Sequence, residues 1–171
     1  MNQLEPLNEH IGMKRFDSVA VCLIAEESAH SHDPDTQTAC LLVNCDGGIL
    51  LASNQFPAGV CREPYRLRRP DKYIWLLHAE RNLIATAAKI GLRTGGSTMY
   101  LNWFPCSDCA AMIVQSGILR LVADRAKYEQ RKNDPRYGFI SSITMLREAG
   151  VEIEWLEDLT NSTDRVDGAG R

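Results

Sequence analysis

The chain has 171 residues, of which 44% are hydrophobic and 24% charged. This composition is typical of a globular protein, and the length suits one domain with a hydrophobic core but is too short for two. A net charge of −3 gives no broad attraction to phosphate backbones, which argues against a nucleic acid as partner and favours small substrates. The sequence does not begin with a basic stretch followed by an apolar run, and it contains no apolar run long enough to span a membrane. We therefore expect a cytoplasmic protein without a membrane segment.

Helix and strand patterns alternate along the chain between a loose lead-in, residues 1–12, and a flexible tail, residues 160–171. Residues 13–159 are therefore predicted to form one domain. The predicted elements are, in order, a helix over 13–30, strands over 38–44 and 49–53, a long polar loop over 55–72, a helix over 78–90, a strand over 97–101, a helix over 106–116, a strand over 118–123, a helix over 141–149 and a strand over 151–155. Helices that alternate with strands require crossovers, so we expect the C-terminal strands to be parallel, with helices on both faces of the sheet.

Metal-ligand residues lie in two short motifs, His78-Ala79-Glu80 and Pro105-Cys106-Ser107-Asp108-Cys109. A catalytic zinc keeps three protein ligands of thiolate, imidazole or carboxylate type and leaves one position to water. A helix places two cysteines three residues apart on one face. Both lie in its first turn, where unpaired N–H groups and the positive end of the dipole favour thiolate. We therefore predict a zinc ion (Zn²⁺) held by His78, Cys106 and Cys109.

The spacing of His78 and Glu80 is typical of a helix start. Residues two apart in a helix are rotated by about 200° and cannot reach one point. Before the first turn the backbone is not yet helical, so both side chains can enter one pocket. Because three ligands complete the metal site, Glu80 is left as the catalytic residue that takes a proton from a zinc-acidified water.

Other uses of the cysteines stay open at this point. A CxxC pair also occurs in structural zinc sites, in redox pairs and in protein cores, but those uses leave the His-x-Glu motif without explanation. The other four cysteines show no metal-ligand spacing, and we expect free buried thiols rather than disulfides or a second zinc site. They are Cys22, Cys40, Cys45 and Cys61.

On these motifs the chain resembles the cytidine and deoxycytidylate deaminase superfamily, and the deoxycytidylate (dCMP) deaminases in particular. His-Ala-Glu followed by Pro-Cys-x-x-Cys is the signature of zinc deaminases. Residues 31–37 (SHDPDTQ) resemble the SxDPxTQ segment of dCMP deaminases, and residues 54–59 (NQFPAG) resemble their NGxPxG turn. The resemblance runs from about Phe16 to Trp155.

The resemblance implies an α/β protein with a three-layer α/β/α fold around a five-stranded mixed sheet and one catalytic zinc. It implies a hydrolase that converts the small-molecule nucleotide dCMP to dUMP and ammonia. In that reaction zinc-bound hydroxide attacks the ring and Glu80 shuttles protons to the ring nitrogen and the departing amine. Family members are usually homo-oligomers, so we expect an oligomer here. Control by dCTP or dTTP is not carried over, because Ala39-Cys40 and residues 52–55 (ASNQ) depart from the family pattern.

Candidate substrate contacts follow from position and from the resemblance. Asn54 matches an asparagine that contacts the sugar in the family, although a turn after a strand would also favour asparagine. Trp103 and Phe104 precede the second ligand helix, where an aromatic face can pack on the substrate ring or belong to the core. Ala79, which lies between His78 and Glu80 in the sequence, is also a candidate substrate contact.

Phosphate recognition requires cations near the pocket. Residues 61–72 (CREPYRLRRPDK) supply several, and Arg66 is the candidate we select, although a solvated loop or a subunit contact explains the segment equally well. Tyr128, with Lys127, resembles a DKY-like segment that follows the fourth strand of dCMP deaminases. It is the candidate for the other side of the pocket.

Three other functions stay consistent with the sequence. The same zinc chemistry serves deaminases of other small rings, such as a nucleoside, a modified cytosine or a purine. Deamination of tRNA or another nucleic acid uses the same signature, but the acidic balance argues against it. A non-catalytic module would use the zinc only as a staple.

Overall fold

The computed structural model describes residues 5–156, with side chains from residue 16 onwards. The helices in this range are α1 (Glu5–Ser28), α2 (Lys72–Trp75), α3 (Ala79–Ile90), α4 (Ser107–Gln115), α5 (Arg125–Arg131) and α6 (Phe139–Glu148), and a 3-10 helix spans Pro64–Leu67. The strands are β1 (Ala39–Val43), β2 (Ile49–Ser53), β3 (Thr98–Leu101), β4 (Arg120–Ala123) and β5 (Glu152–Trp155).

The strands form one five-stranded mixed sheet in the order β2-β1-β3-β4-β5. Strand β1 is antiparallel to both β2 and β3, whereas β3, β4 and β5 run parallel to one another. The hairpin of β1 and β2 needs only a turn, and the parallel strands are joined through helices, as crossovers require. The predicted α/β fold with its five-stranded mixed sheet is confirmed.

The alternation of side chains along the strands separates the core into two layers. Leu41 and Tyr100 face α1, where they pack with Ile24. Their strand neighbours Leu42 and Leu101 face the opposite side, in the larger core formed with α3, α4 and α6. Because successive strand residues point to opposite faces, both faces of the sheet are apolar and both are covered by helices.

Two features of this architecture position the pocket. Strand β3 ends at Leu101 and the chain then runs directly into α4, so the start of α4 lies at the carboxyl end of a parallel strand. Asn102, in that connection, accepts a hydrogen bond from the backbone N–H of Ala39 at 2.9 Å. The junction between β3 and α4 is thereby fixed to the start of β1.

Several predicted boundaries differ from the structure. Helix α1 begins at Glu5, so residues 5–12 are helical and not a loose lead-in. Pro6 in the first turn explains why this segment is compatible with a helix, since proline loses no helical hydrogen bond there. The predicted tail, residues 160–171, lies outside the described residues.

The segment between β4 and α6 holds a helix that the sequence pattern did not predict. Helix α5 has seven residues and buries only Tyr128, so it carries no apolar periodicity. Its capping residue was visible in the sequence: the Asp124 carboxylate accepts from the backbone N–H of Lys127 at 3.0 Å. The predicted long loop over 55–72 likewise contains the 3-10 helix and ends at α2.

The expectation of buried free cysteines is correct for one of the four. Cys40 is buried, whereas Cys22, Cys45 and Cys61 are exposed. These three lie on an outer helix face, in a turn and in a loop, where spacing in the sequence gives no indication of burial. In the part of the chain that the structure describes, no helix combines the length and the apolar character that crossing a membrane requires.

Candidate active site and metal centre

The starts of α3 and α4 bring the two sequence motifs together. His78 caps α3 with extended backbone angles (φ −65°, ψ 153°), and Cys106 caps α4 in the same way (φ −67°, ψ 169°). Each side chain therefore leaves the chain before the first helical turn. Glu80 follows in the first turn of α3 and Cys109 in the first turn of α4.

His78, Cys106 and Cys109 form a group whose potential ligand atoms all lie within 4.8 Å of one another. The Nδ1 atom of His78 is 3.5 Å from the Sγ atoms of both cysteines. Ligands at ordinary zinc–sulfur and zinc–nitrogen distances are about 3.6 Å apart in a tetrahedral site. The spacing of the three donors therefore fits a zinc ion without rearrangement.

The Cys106 and Cys109 thiols lie close enough to hydrogen-bond to each other. A hydrogen bond from Cys109, together with His78, lowers the pKa of the Cys106 thiol to about 4. The same hydrogen bond and burial raise the pKa of Cys109. A coordinated metal deprotonates such a thiol, so the donor set has the chemistry of a metal site.

Glu80 lies outside this three-donor group, although it lines the same pocket as His78 and Cys106. Its side chain is buried, and burial raises the pKa of its carboxyl group, an effect that the positive charge of His78 opposes. Three potential metal donors with a separate carboxylic acid in the same pocket match the donor pattern of catalytic rather than structural zinc sites.

Backbone contacts hold the start of α3 against the end of β2. The backbone N–H of Leu77 donates to the carbonyl of Gln55 at 2.8 Å, and the Gln55 N–H donates back at 3.2 Å. The Asn82 side chain donates to the carbonyl of Ser53 at 2.9 Å. His78 is therefore placed between two contacts to one neighbouring segment.

The start of α4 is held from the other side by α6 and by an aromatic cluster. The Ser142 hydroxyl donates to the carbonyl of Pro105 at 2.8 Å. Phe104 is fully buried, with its ring 4.8 Å from that of Tyr128, 5.3 Å from that of Phe139 and 5.6 Å from that of Trp155. The ligand helix thus begins on a rigid aromatic support.

A pocket with a cavity volume of about 60 Å³ lies above these residues. Four predicted substrate contacts line it, namely Asn54, Ala79, Trp103 and Phe104. Its aromatic side is formed by Trp103, which meets Tyr137 edge-on with ring centroids 6.3 Å apart, while the Lys127 Nζ lies 5.2 Å from the Trp103 ring centroid. An aromatic surface beside an acid and a metal-ligand group is suited to a planar heterocycle.

Asn54 is engaged by the protein itself as well as facing the pocket. Its Oδ1 accepts from the Ser31 hydroxyl at 2.6 Å and from the Thr38 backbone N–H at 3.0 Å. Its Nδ2 donates to the carbonyl of Thr36 at 2.9 Å. The side chain therefore ties the end of β2 to residues 31–38, a structural task that its position in the sequence did not reveal.

The structure places two other predicted contacts outside the lining of this pocket. Arg66 is not among the described residues that line it; its guanidinium group stacks 3.8 Å from the Trp75 ring centroid and donates to the Cys61 carbonyl at 3.0 Å. Tyr128 also does not line the pocket, because it is buried in the aromatic cluster under Phe104. The cationic segment reaches the pocket through Lys72, and the DKY-like segment contacts the pocket residue Trp103 through Lys127.

A charged cluster in the pocket wall was not predicted. Lys72 is buried and bonded to Asp33 and Asp35, and both Lys72 and Asp33 line the pocket. The sequence shows a lysine in the cationic segment and two aspartates within residues 31–37. A single sequence does not indicate that these three side chains contact one another. Tyr73 and Tyr137, which line the pocket as well, were missed because their segments carry no periodic pattern.

Comparison with known proteins agrees with the fold and the site. The family model of the cytidine and deoxycytidylate deaminase zinc-binding region matches residues 15–124. An uncharacterized deaminase encoded in the luxG 3′ region of Aliivibrio fischeri is 32% identical over 146 residues, which cover 84% of this chain and 92% of that protein. The deoxycytidylate deaminase of Enterobacteria phage T4 is 44% identical over 77 residues, which cover 45% of this chain and 36% of that protein.

A solved structure shares the architecture. The dCMP deaminase of cyanophage S-TIM5, in complex with dCMP and dUMP, superposes with a TM-score of 0.59 at 22% identity and covers 90% of this chain and 99% of that chain. At this identity the likeness concerns the fold.

The mixed sheet and the paired helix starts, with their His/Cys/Cys group and separate glutamate, define a hydrolytic deaminase. The family match covers more than half of the sequence, including all three potential ligands. The chain belongs to the cytidine and deoxycytidylate deaminase family.

Proposed function

We propose that this chain hydrolyses the amino group of a cytosine nucleotide, converting dCMP and water to dUMP and ammonia. The observation that carries the proposal is the floor of the pocket, where a complete three-donor metal group lies beside a buried carboxylic acid that is not one of the donors. A structural zinc site would be closed by a fourth ligand and would have no need of a pocket.

His78, Cys106 and Cys109 would hold the zinc ion. When bound, zinc supplies Lewis acidity that lowers the pKa of a water molecule towards neutrality. Glu80 takes the proton of the attacking water while the water oxygen bonds to C4 of the ring, and it delivers that proton to N3. Glu80 then takes the remaining proton from the oxygen on C4 and passes it to the amino group, so that the C4–N4 bond breaks, the C4 carbonyl forms, and ammonia leaves.

The pocket supports a planar ring with a polar substituent. Trp103 and Leu76 provide apolar surface, and Thr36 and Asn54 provide polar groups beside it. Relatives such as the phage T4 protein carry the name deoxycytidylate deaminase, which supports the nucleotide as substrate class.

A direct test measures ammonia release by the zinc-loaded protein from dCMP, CMP, deoxycytidine, cytosine, guanine and tRNA. We expect the largest kcat/KM with dCMP. A larger kcat/KM with guanine or tRNA would contradict the proposal that the substrate is a cytosine nucleotide. If no aminated ring releases ammonia, the protein is not a deaminase and the zinc serves only to stabilise the fold.

The proposal includes a homo-oligomer that acts in the cytoplasm. Tyr65, Tyr73 and Ile74 are exposed around α2, and Ile74 is 80% exposed. Exposed apolar groups of this kind favour an interface between subunits. Light scattering coupled to size exclusion measures the oligomer, and a monomer at all concentrations would contradict it.

A further inference from the structure

A buried ammonium group forms part of the pocket wall. Lys72, the first residue of α2, lines the same pocket as Glu80, and its side chain is 3% exposed. Its Nζ donates to both carboxylate oxygens of Asp33 at 2.9 Å and to one oxygen of Asp35 at 3.0 Å. A buried lysine needs such counter-charges, and here two carboxylates share one ammonium.

The two carboxylates differ in how firmly the fold holds them. The Asp33 side chain is 8% exposed, and its Oδ1 also accepts from the backbone N–H groups of Asp35 and Thr36 at 2.9 and 3.2 Å. The Asp35 side chain is 50% exposed, and besides Lys72 it reaches the Nε of Arg69 at 3.7 Å. Asp33 is thus built into a turn, whereas Asp35 is an exposed anion between two cations.

The position of Asp35 has the properties of an anion site. Lys72 lies in the wall of the active-site pocket, whereas Arg69 lines a neighbouring surface groove together with Asp35, and the two cations converge on the Asp35 carboxylate from these two sides. Phosphate oxygens accept the same charge-assisted hydrogen bonds. The hydrogen bond from Lys72 lowers the pKa of Asp35, so its carboxylate is ionised at neutral pH and competes with any arriving anion. The Arg69–Asp35 pair is exposed and therefore weak, and the buried Lys72 ammonium keeps Asp33 as its counter-charge while one anion replaces another beside it.

We propose that Lys72 and Arg69 form the site that receives the phosphate of a nucleotide substrate, and that Asp35 fills this site as a built-in counter-anion until the phosphate displaces it. The inference rests on the proposed function for the identity of the nucleotide. Asp33 stays on Lys72 throughout and keeps the ammonium balanced. Asp35 therefore weakens the binding of a phosphorylated substrate and leaves the binding of a nucleoside unchanged.

The Asp35→Asn variant tests the exchange in the zinc-loaded full chain. We expect the KM for dCMP to fall about twofold to fivefold with kcat unchanged, and the KM for deoxycytidine to stay as in the wild type. Asp46→Asn is the matched control, because it removes the same charge from the exposed turn between β1 and β2. An equal change on both substrates, or a rise in the KM for dCMP, would overturn the proposal and leave Asp35 as a clasp for residues 31–37.

Arg69→Gln supplies an independent variant if Asp35→Asn does not fold. The Arg69 side chain is 52% exposed, so we expect no loss of stability. The KM for dCMP should rise, again without an effect on deoxycytidine. If the ratio of the KM values for dCMP and deoxycytidine stays as in the wild type, Arg69 is not part of the site.

A binding measurement separates this inference from the proposed function. Inorganic phosphate, compared with chloride at equal ionic strength, should raise the Tm of Asp35→Asn more than that of the wild type or Asp46→Asn. The Tm shift does not depend on turnover, so it tests the anion site even if the protein does not deaminate dCMP. Equal Tm shifts in all three proteins would overturn the anion site.

Discussion

The floor and the wall of the pocket are built by different means. The floor consists of His78, Glu80, Cys106 and Cys109, all at the starts of two helices that pack on the sheet. One wall is formed by Asp33 and Thr36 and by Lys72 and Tyr73 of α2, and the two segments are joined by side-chain bonds around Lys72. Helix geometry therefore positions the three potential metal donors and Glu80, whereas loop side chains form the wall beside them. Substitutions in the two regions should fail in different ways.

The largest effect is expected in the floor. Cys106→Ala removes one of three metal donors, so the protein should lose zinc, turnover should fall below detection, and Tm should fall because metal binding stabilises the fold. Zinc content by atomic emission and ammonia release measure the two losses. Cys45→Ala, an exposed cysteine in a turn, is the matched control and should keep both. Retention of zinc by Cys106→Ala would remove this residue from the ligand set.

A stability effect is expected where the wall meets β2. Asn54→Ala leaves the Thr38 N–H and the Thr36 carbonyl without their partner in a partly buried position. We expect the free energy of unfolding to fall by about 1 kcal/mol, the typical net contribution of a hydrogen bond.

Denaturant unfolding of the variant measures this change. Ser31→Ala removes one of the three bonds of Asn54 and should cost less. If Asn54→Ala keeps the wild-type stability and loses only substrate affinity, the Asn54 amide serves the substrate and not the fold.

A smaller effect is expected at the aromatic side of the pocket. Trp103→Ala removes the surface on which a ring would stack, and we expect the KM for dCMP to rise roughly tenfold. Trp103→Phe should recover most of this loss, because it keeps an aromatic face. A kcat that falls while KM stays constant would assign Trp103 to the chemical step instead.

The smallest effect is expected at Arg66. Its guanidinium group stacks on Trp75 and does not line the pocket. Arg66→Ala should therefore change the KM for dCMP by less than about twofold, the range of ordinary surface substitutions. A rise comparable with that expected for Arg69→Gln would return Arg66 to the phosphate site.

The same contrast explains what the sequence predicts and what it does not. The α/β fold and the strands follow from hydrophobic periodicity, and the meeting of His78, Cys106 and Cys109 follows from their spacing at helix starts, because both patterns are local. The Lys72 cluster joins residues that are 39 and 37 positions apart, and no periodicity links such distant side chains. Arg66 was chosen over Lys72 because composition reveals a cationic segment but not which cation is buried.

Helix α5 was not predicted, because it too lacks a periodic apolar pattern. Helix α5 is short and polar, so its stability comes from a cap and one buried tyrosine rather than from an apolar face. Tyr128 matched a family segment, yet the fold uses it to support Phe104. Motifs thus locate an element, and the surrounding packing decides which side chain faces the substrate.

We propose that Glu80 transfers protons in the reaction and does not bind the metal. The most direct test measures zinc content and dCMP turnover of Glu80→Gln side by side. We predict wild-type zinc content with kcat reduced by about a thousandfold, as expected for the loss of a general acid and base. Loss of zinc would make Glu80 a ligand, and near-normal turnover with zinc retained would contradict its role in the reaction.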